Sequence, residues 1–244
     1  MGDRVAIVTG GAKGIGRAIA LDLAAQGWSV AICYRTSAEA ARETAEAIRA
    51  KGAQVIEGSY DVSDPRACET LVSRVLSEWG RVDALINGAG PYKRVPLLDA
   101  SPESWREMFE NNLDPVFYMS RLVAPAMIRQ RWGRIVTFGM ANADQMIGQP
   151  QLTAHYIAKV GTLVLTRTLA RILAPHNITA NAVSPGFIAS GSAPDEELQK
   201  MVKSIPAGYV GETSDAVSVV RFLLSDEARY VNGTNIHLSG AWGV

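Results

Sequence analysis

The sequence predicts an α/β protein: a single-domain, Rossmann-type doubly wound parallel sheet of seven strands flanked by helices. Three observations carry that prediction. Short β-branched runs alternate with longer amphipathic ones along the whole chain. The short runs are apolar on both faces, as strands covered on both sides require. A glycine-rich turn joins the first such run to a helical pattern.

Taken in order, RVAIVT (4–9) reads as a buried strand and GIGRAIALDLAAQ (14–26) as a helix. SVAICY (29–34) is a second strand. AEAARETAEAIRAK (38–51) is a helix with a charged outer face, stopped by Gly52. QVIEGS (54–59) is a third strand. Asp64 is an N-cap, with Pro65 at the first helical position, for a helix reaching Trp79. ALIN (84–87), RIVTF (134–138), ITANAVS (178–184) and NIHL (235–238) complete the strands. Segments 101–130, 153–174 and 214–224 are expected to be helical. The stretch 187–212, rich in Gly, Ser, Ala and Pro with a short helix at about 195–203, is expected to form a substrate flap.

With 244 residues, 48% hydrophobic and 20% charged, the chain suits one domain, 1–244. Lys plus Arg balance Asp plus Glu at 24 each, which argues against nucleic acid as a partner. No apolar run reaches the ~18 residues of a membrane span. The N-terminus runs straight into a strand without a signal-peptide pattern, so a cytoplasmic protein is expected. Cys33 and Cys68 lack metal-ligand spacing and read as buried free thiols. No metal is expected. His176 and His237 look isolated from any ligand-like partner.

After the first strand, Gly10 suits a tight turn, Gly14 lets backbone approach a pyrophosphate, and Gly16 lets the helix lie close to the sheet. The helix N-terminus supplies free N–H groups and positive potential for phosphates. Thr9-Gly10-x-x-x-Gly14-Ile15-Gly16 resembles the cofactor motif of the short-chain dehydrogenase/reductase family. Asp61-Val62 resembles that family's adenine contact, and Asn87-Gly88-Ala89-Gly90 its N-N-A-G motif. Asn112 matches its catalytic-site asparagine. Pro185-Gly186, followed by Ile188 and by Ser190 where Thr is usual, resembles the nicotinamide-side loop. The resemblance covers nearly the whole chain and is closest in texture to the 3-oxoacyl carrier-protein reductase branch. It implies a nicotinamide dinucleotide cofactor, a small carbonyl or alcohol substrate, and a homotetramer or homodimer.

Cofactor choice follows from charge. An acid after the second strand would accept bonds from a ribose 2′-hydroxyl and repel a 2′-phosphate. This strand ends Tyr34-Arg35-Thr36-Ser37, with no acid. Arg35 offers a guanidinium fork, and Lys13 adds a second cation. NADP(H) is expected over NAD(H).

The catalytic positions depart from the family. There a tyrosine exchanges the substrate proton and a lysine four residues later lowers its pKa and holds the nicotinamide ribose. A serine after strand five polarises the carbonyl, and an asparagine supports a water. Lys159 aligns with the lysine, and the position four before it is His155, with Tyr156 next to it. Met140 stands at the serine position, and a thioether cannot polarise a carbonyl. Segment 140–155 is about two residues longer than the family's, leaving room for a local bulge. Three readings stay open. Tyr156 acts through a one-residue shift, with Asn142 donating where Met140 cannot; His155 is the acid, with an ordinary pKa near 6.5 that Lys159⁺ would lower; or the chain binds a dinucleotide without efficient turnover, as a sensor or assembly subunit. Asp144, Gln145 and Gln149 lie beside the expected substrate cleft.

Overall fold

The structure is a computed structural model that describes residues 4–191 and 194–243. Seven strands form one parallel sheet: β1 (Val5–Thr9), β2 (Ser29–Tyr34), β3 (Val55–Ser59), β4 (Ala84–Asn87), β5 (Gly133–Phe138), β6 (Ile178–Pro185) and, last in the chain, β9 (Asn235–Leu238). Their order across the sheet is β3-β2-β1-β4-β5-β6-β9. The order reverses between β1 and β4, so a crevice opens there at the carboxyl ends of the strands.

Alternation along each strand divides the core into two layers. Ala6 and Val8 pack with Ile19 and Leu23 of α1 (Gly14–Ala25), Ile48 of α2 (Ala38–Arg49) and Val220 and Leu223 of α8 (Thr213–Leu224). Val5 and Ile7 face the other way, against Leu71 and Val75 of α3 (Pro65–Trp79), Met119 and Val123 of α5 (Asp114–Gln130), and Leu173 of α6 (Thr153–Leu173). Burial on both faces is why these strands lack polar alternation.

Asp64 caps α3 as expected, accepting from Arg66 N at 2.9 Å. The expected helix at 101–130 is instead two: α4 (Pro102–Asn112) and α5, meeting at Leu113. Pro115 is the physical reason. It has no N–H to donate to the Asn111 carbonyl four residues back, and its ring crowds that carbonyl.

The segment expected to form a flap begins and ends in a small two-stranded pair, β7 (Ile188–Ala189) with β8 (Gly211–Glu212). Between them lies α7 (Asp195–Met201), continued by a 3₁₀ turn at Val202–Ser204. Positions 192 and 193 of that segment, and the first three residues of the chain, lie outside the described residues. Cys33 and Cys68 are free and buried. No helix among the described residues is long and apolar enough to cross a membrane.

Candidate active site

The crevice between β1 and β4 is an open cleft. Gly10, Lys13, Arg35, Asp61, Val62, Ala89 and Gly90 all line it. Its floor is built by missing side chains. Gly10 takes a φ of 67° and passes within van der Waals reach of the Ala89 backbone, where a Cβ would come to 3.1 Å. A Cβ on Gly16 would sit 2.4 Å from the Gly10 carbonyl oxygen. On the far wall, a Cβ on Gly14 would stand 3.1 Å from the Ser190 carbonyl oxygen, so the glycine turn and the loop after β6 face each other. Gly186 packs on Ser239, and Ile188 is buried where β7 starts. Ile15, half-buried, packs against the core behind the turn.

Two cations in the cleft lack a carboxylate partner. Among the described residues no carboxylate forms an ion pair with Arg35 or Lys13. Asp61, the acid on the same wall, turns its Oδ1 to Ser63, accepting from the backbone N–H at 3.0 Å and the hydroxyl at 2.7 Å. Deeper in, the Asn87 side chain is buried with neither amide atom partnered. A buried amide left empty on both atoms is costly unless something else fills the site. Glycines where a Cβ would collide, a helix N-terminus, unneutralised cations and orphaned amide atoms together fit a dinucleotide phosphate.

At the inner end, two side chains converge beside Gly90. A Cβ there would lie 2.6 Å from Asn112 Oδ1 and 3.3 Å from Lys159 Nζ. Asn112 is the last residue of α4, and its Nδ2 donates to the Pro91 carbonyl at 3.2 Å, leaving Oδ1 buried and free. Lys159 donates to the Phe138 carbonyl at 3.0 Å, at the end of β5. Burial pushes the Lys159 ammonium down to about 8.

His155 lies one turn earlier on α6, 5% exposed, with Nδ1 buried and unpartnered. Tyr92 meets its ring edge-on at 5.2 Å between centroids. Burial first, then the Lys159 charge, push the imidazole down to about 4, and the Pro91 carbonyl opposes them. Tyr156 points elsewhere. Its hydroxyl donates to the Asn142 carbonyl at 2.8 Å and accepts from Ile147 N–H at 3.0 Å. The ring packs with Ala143, Leu163 and Ala182.

The pattern of the family described as Enoyl-(Acyl carrier protein) reductase matches residues 10–241. The 3-oxoacyl-[acyl-carrier-protein] reductase FabG of Staphylococcus epidermidis is 36% identical over 241 residues, covering 98% of both chains. The FabG of Escherichia coli K12 is 35% identical, covering 97% of this chain and 96% of its own. Among solved structures, acetoin dehydrogenase YohF of Salmonella typhimurium superposes with a TM-score of 0.90 at 31% identity, covering 98% and 96%. Levodione reductase does so at 0.90 and 28%, covering 98% and 96%. The chain belongs to the short-chain dehydrogenase/reductase family. It is thereby one of the NAD(P)-dependent oxidoreductases.

Of the residues expected for a short-chain dehydrogenase/reductase site, the fold gathers Asn112 and Lys159 at the Gly90 corner, with His155 near Lys159 and the Pro91 carbonyl. It does not bring Tyr156 there. Helix α6 is unbroken from Thr153, with no bulge to realign the tyrosine. Asn142, in left-handed backbone with φ 61°, turns its side chain towards Gly243. His237, expected from sequence to be isolated, is not: its Nε2 lies 2.8 Å from Asp144 Oδ2. Asn235 also donates to that oxygen at 3.2 Å, and Gln145 donates to the Gly243 carbonyl at 2.9 Å. These bonds tie the loop after β5 to the last strand. The Pro91 and Phe138 carbonyls were not expected in the site, since a backbone group leaves no mark in a sequence. Asn111 was also missed, although a polar side chain next to Asn112 on a helix lining the cleft was the available signal.

Proposed function

We propose that this short-chain dehydrogenase/reductase uses NADP(H) to reduce a small carbonyl compound or oxidise the corresponding alcohol, with an atypical proton-exchanging group. The observation that carries this reading is the corner at Gly90, where Asn112 Oδ1 and Lys159 Nζ face one point at the end of a cationic cleft. A bound nicotinamide would supply or accept the hydride. Gly10, Lys13, Gly14, Ile15, Gly16, Arg35, Asp61, Val62, Asn87, Ala89, Gly90, Pro185, Gly186, Ile188 and Ser190 would hold the dinucleotide, and Lys159 its ribose. Arg35 and Lys13, without carboxylate partners, favour the phosphorylated form.

His155, rather than Tyr156, is the group we assign to the substrate oxygen. The Tyr156 hydroxyl already has a donor and an acceptor in the loop after β5. The His155 ring is neutral at pH 7, and by tautomer it presents an N–H or a lone pair at Nδ1. In reduction Nδ1–H would give its proton to the alkoxide oxygen while the other ring nitrogen takes one from the Lys159 ammonium, whose pKa is near 8, so the ring stays neutral. In oxidation the same transfers run in reverse. A cytoplasmic homotetramer or homodimer goes with this reading, as does segment 187–212 as the substrate flap.

The test is NADPH consumption with a panel of ketones and acyl thioesters, repeated in three variants. His155→Ala and Lys159→Ala are expected to lose turnover ~100-fold or more, and Tyr156→Phe to retain most of it. Loss confined to Tyr156→Phe would instead make the phenol the acid. Met140 at the polarising position supports a second reading, a dinucleotide-binding sensor or assembly subunit. Tight NADPH binding with no turnover of any substrate would select it.

A further inference from the structure

Arg35 carries one more contact across the cleft. Its Nη1 donates to Asn111 Oδ1 at 2.8 Å, joining the end of β2 to α4 over 76 residues of chain. Both residues line the same cleft. The bond has a fixed direction. Asn111 Nδ2 donates back to the Glu107 carbonyl at 2.8 Å, one turn earlier on α4, which turns Oδ1 towards the guanidinium. The Arg35 backbone is held too, its carbonyl accepting from Ser59 Oγ at 3.4 Å. A long exposed side chain with many rotamers is thus parked in one place.

The chemistry of the tether matters more than its strength. A guanidinium has five N–H donors, and this bond uses one of them. An amide oxygen carries no net charge, so it positions the cation without neutralising it. A carboxylate at the same place would hold Arg35 equally well and cancel its field. Asp61, the acid lining that cleft, bonds Ser63 through Oδ1 and makes no ion pair with Arg35.

We propose that Asn111 is a specificity-determining residue for the cofactor, holding the Arg35 guanidinium in place as a free cation ready for a 2′-phosphate. This rests on the NADP(H) reading above. Ordering Arg35 before binding removes part of the entropy a phosphate would otherwise have to offset.

The experiment measures dissociation constants for NADPH and NADH by calorimetry on wild type, Asn111→Ala and Asn111→Asp. Thermal melts check that each variant folds. In Asn111→Ala, NADPH binding should weaken ~5-fold, about the worth of one ordinary hydrogen bond, with NADH unchanged within ~2-fold. In Asn111→Asp the preference for NADPH should fall further, ~30-fold or more, because the new carboxylate neutralises Arg35 and repels the phosphate. A wild type that prefers NADPH, with the preference intact in both folded variants, overturns the role of Asn111 alone. A wild type that binds both cofactors equally overturns the NADP(H) reading and this inference with it.

Discussion

Lys159 shows what a site costs at the level of one residue. Its ammonium is buried and donates one bond, to Phe138. The native pKa of about 8 lies below the ordinary 10.5, so the unfolded chain binds more protons between those values. Stability therefore rises as pH climbs from about 8 to 10.5, and below 8 the native state carries the whole penalty. Two to three pKa units correspond to about 3 kcal/mol. Lys159→Met, which keeps the volume and removes the charge, is expected to stabilise the cofactor-free protein by about 1–3 kcal/mol at pH 7. The gain should shrink as pH approaches 10.5. Thermal and urea melts across that range measure it, and a Met variant no more stable than wild type would count against a strained lysine. His155 works in the same direction at the acid side. Its pKa falls from 6.5 to about 4, so stability is full above 6.5 and is lost as pH drops through 4. His155→Gln should flatten that acid slope. The sequence made Lys159 and Asn112 legible because their neighbours align them. It left the Tyr156 hydroxyl undecided, because adjacent residues on a helix point about 100° apart and only the surrounding loop decides which way is inward.

At the scale of elements, the glycine turn and α1 behave as one unit. A Cβ on Gly16 would press to 2.4 Å against the Gly10 carbonyl oxygen, a backbone atom that no side-chain rotation relieves. Gly16→Ala must therefore push the N-terminus of α1 off the turn that would cradle the phosphates. Overpacking of this kind costs about 1–3 kcal/mol. The variant should melt lower and bind NADPH ~10-fold or more weakly, since amides displaced by a fraction of an ångström no longer converge. An unchanged affinity in calorimetry would show that the turn does not hold the phosphates. The seven strands of the main sheet were legible to within a residue, because burial on both faces leaves continuous apolar runs; the short pair β7 and β8 was not. The junction at Leu113 was not. Apolar periodicity runs through it, and only Pro115 marks the break. That break ends α4 at Asn112 and so delivers its side chain to the corner at Gly90. Reading the proline as a boundary would have found it.

Across the whole molecule the two ends of the sheet differ in what their buried polar groups do. Charged side chains at the amino ends pair with one another, although Arg134 Nε stays unpartnered, while neutral ones at the carboxyl ends do not. At the amino ends of the strands, buried Asp83 accepts from Val5 N at 2.8 Å and takes both Arg81 contacts, at 2.7 and 2.8 Å. Arg134, fully buried there, lies against Trp132 and pairs with Asp226 at 3.5 Å. Pairs of that kind fix the fold. At the carboxyl ends, Asn87, Asn112 and His155 keep unpartnered atoms, which is where a ligand belongs. A third surface belongs to neither end. Ile157, Val164 and Ile172 form one exposed apolar stripe along α6, spaced seven and eight residues apart, and Phe117 of α5 is exposed as well. Apolar residues fall on more than one face of these helices, so periodicity alone does not say which face the core takes. A stripe left bare after the core is complete suits a covering surface, and the predicted cover is a second copy of the chain, which would meet it with a matching stripe through a twofold axis. Val164→Glu combined with Ile172→Lys should then convert a dimer or tetramer into smaller species by light scattering. The same substitutions on a monomer would leave the mass unchanged, and a monomeric wild type at micromolar concentration would reject self-association through α6.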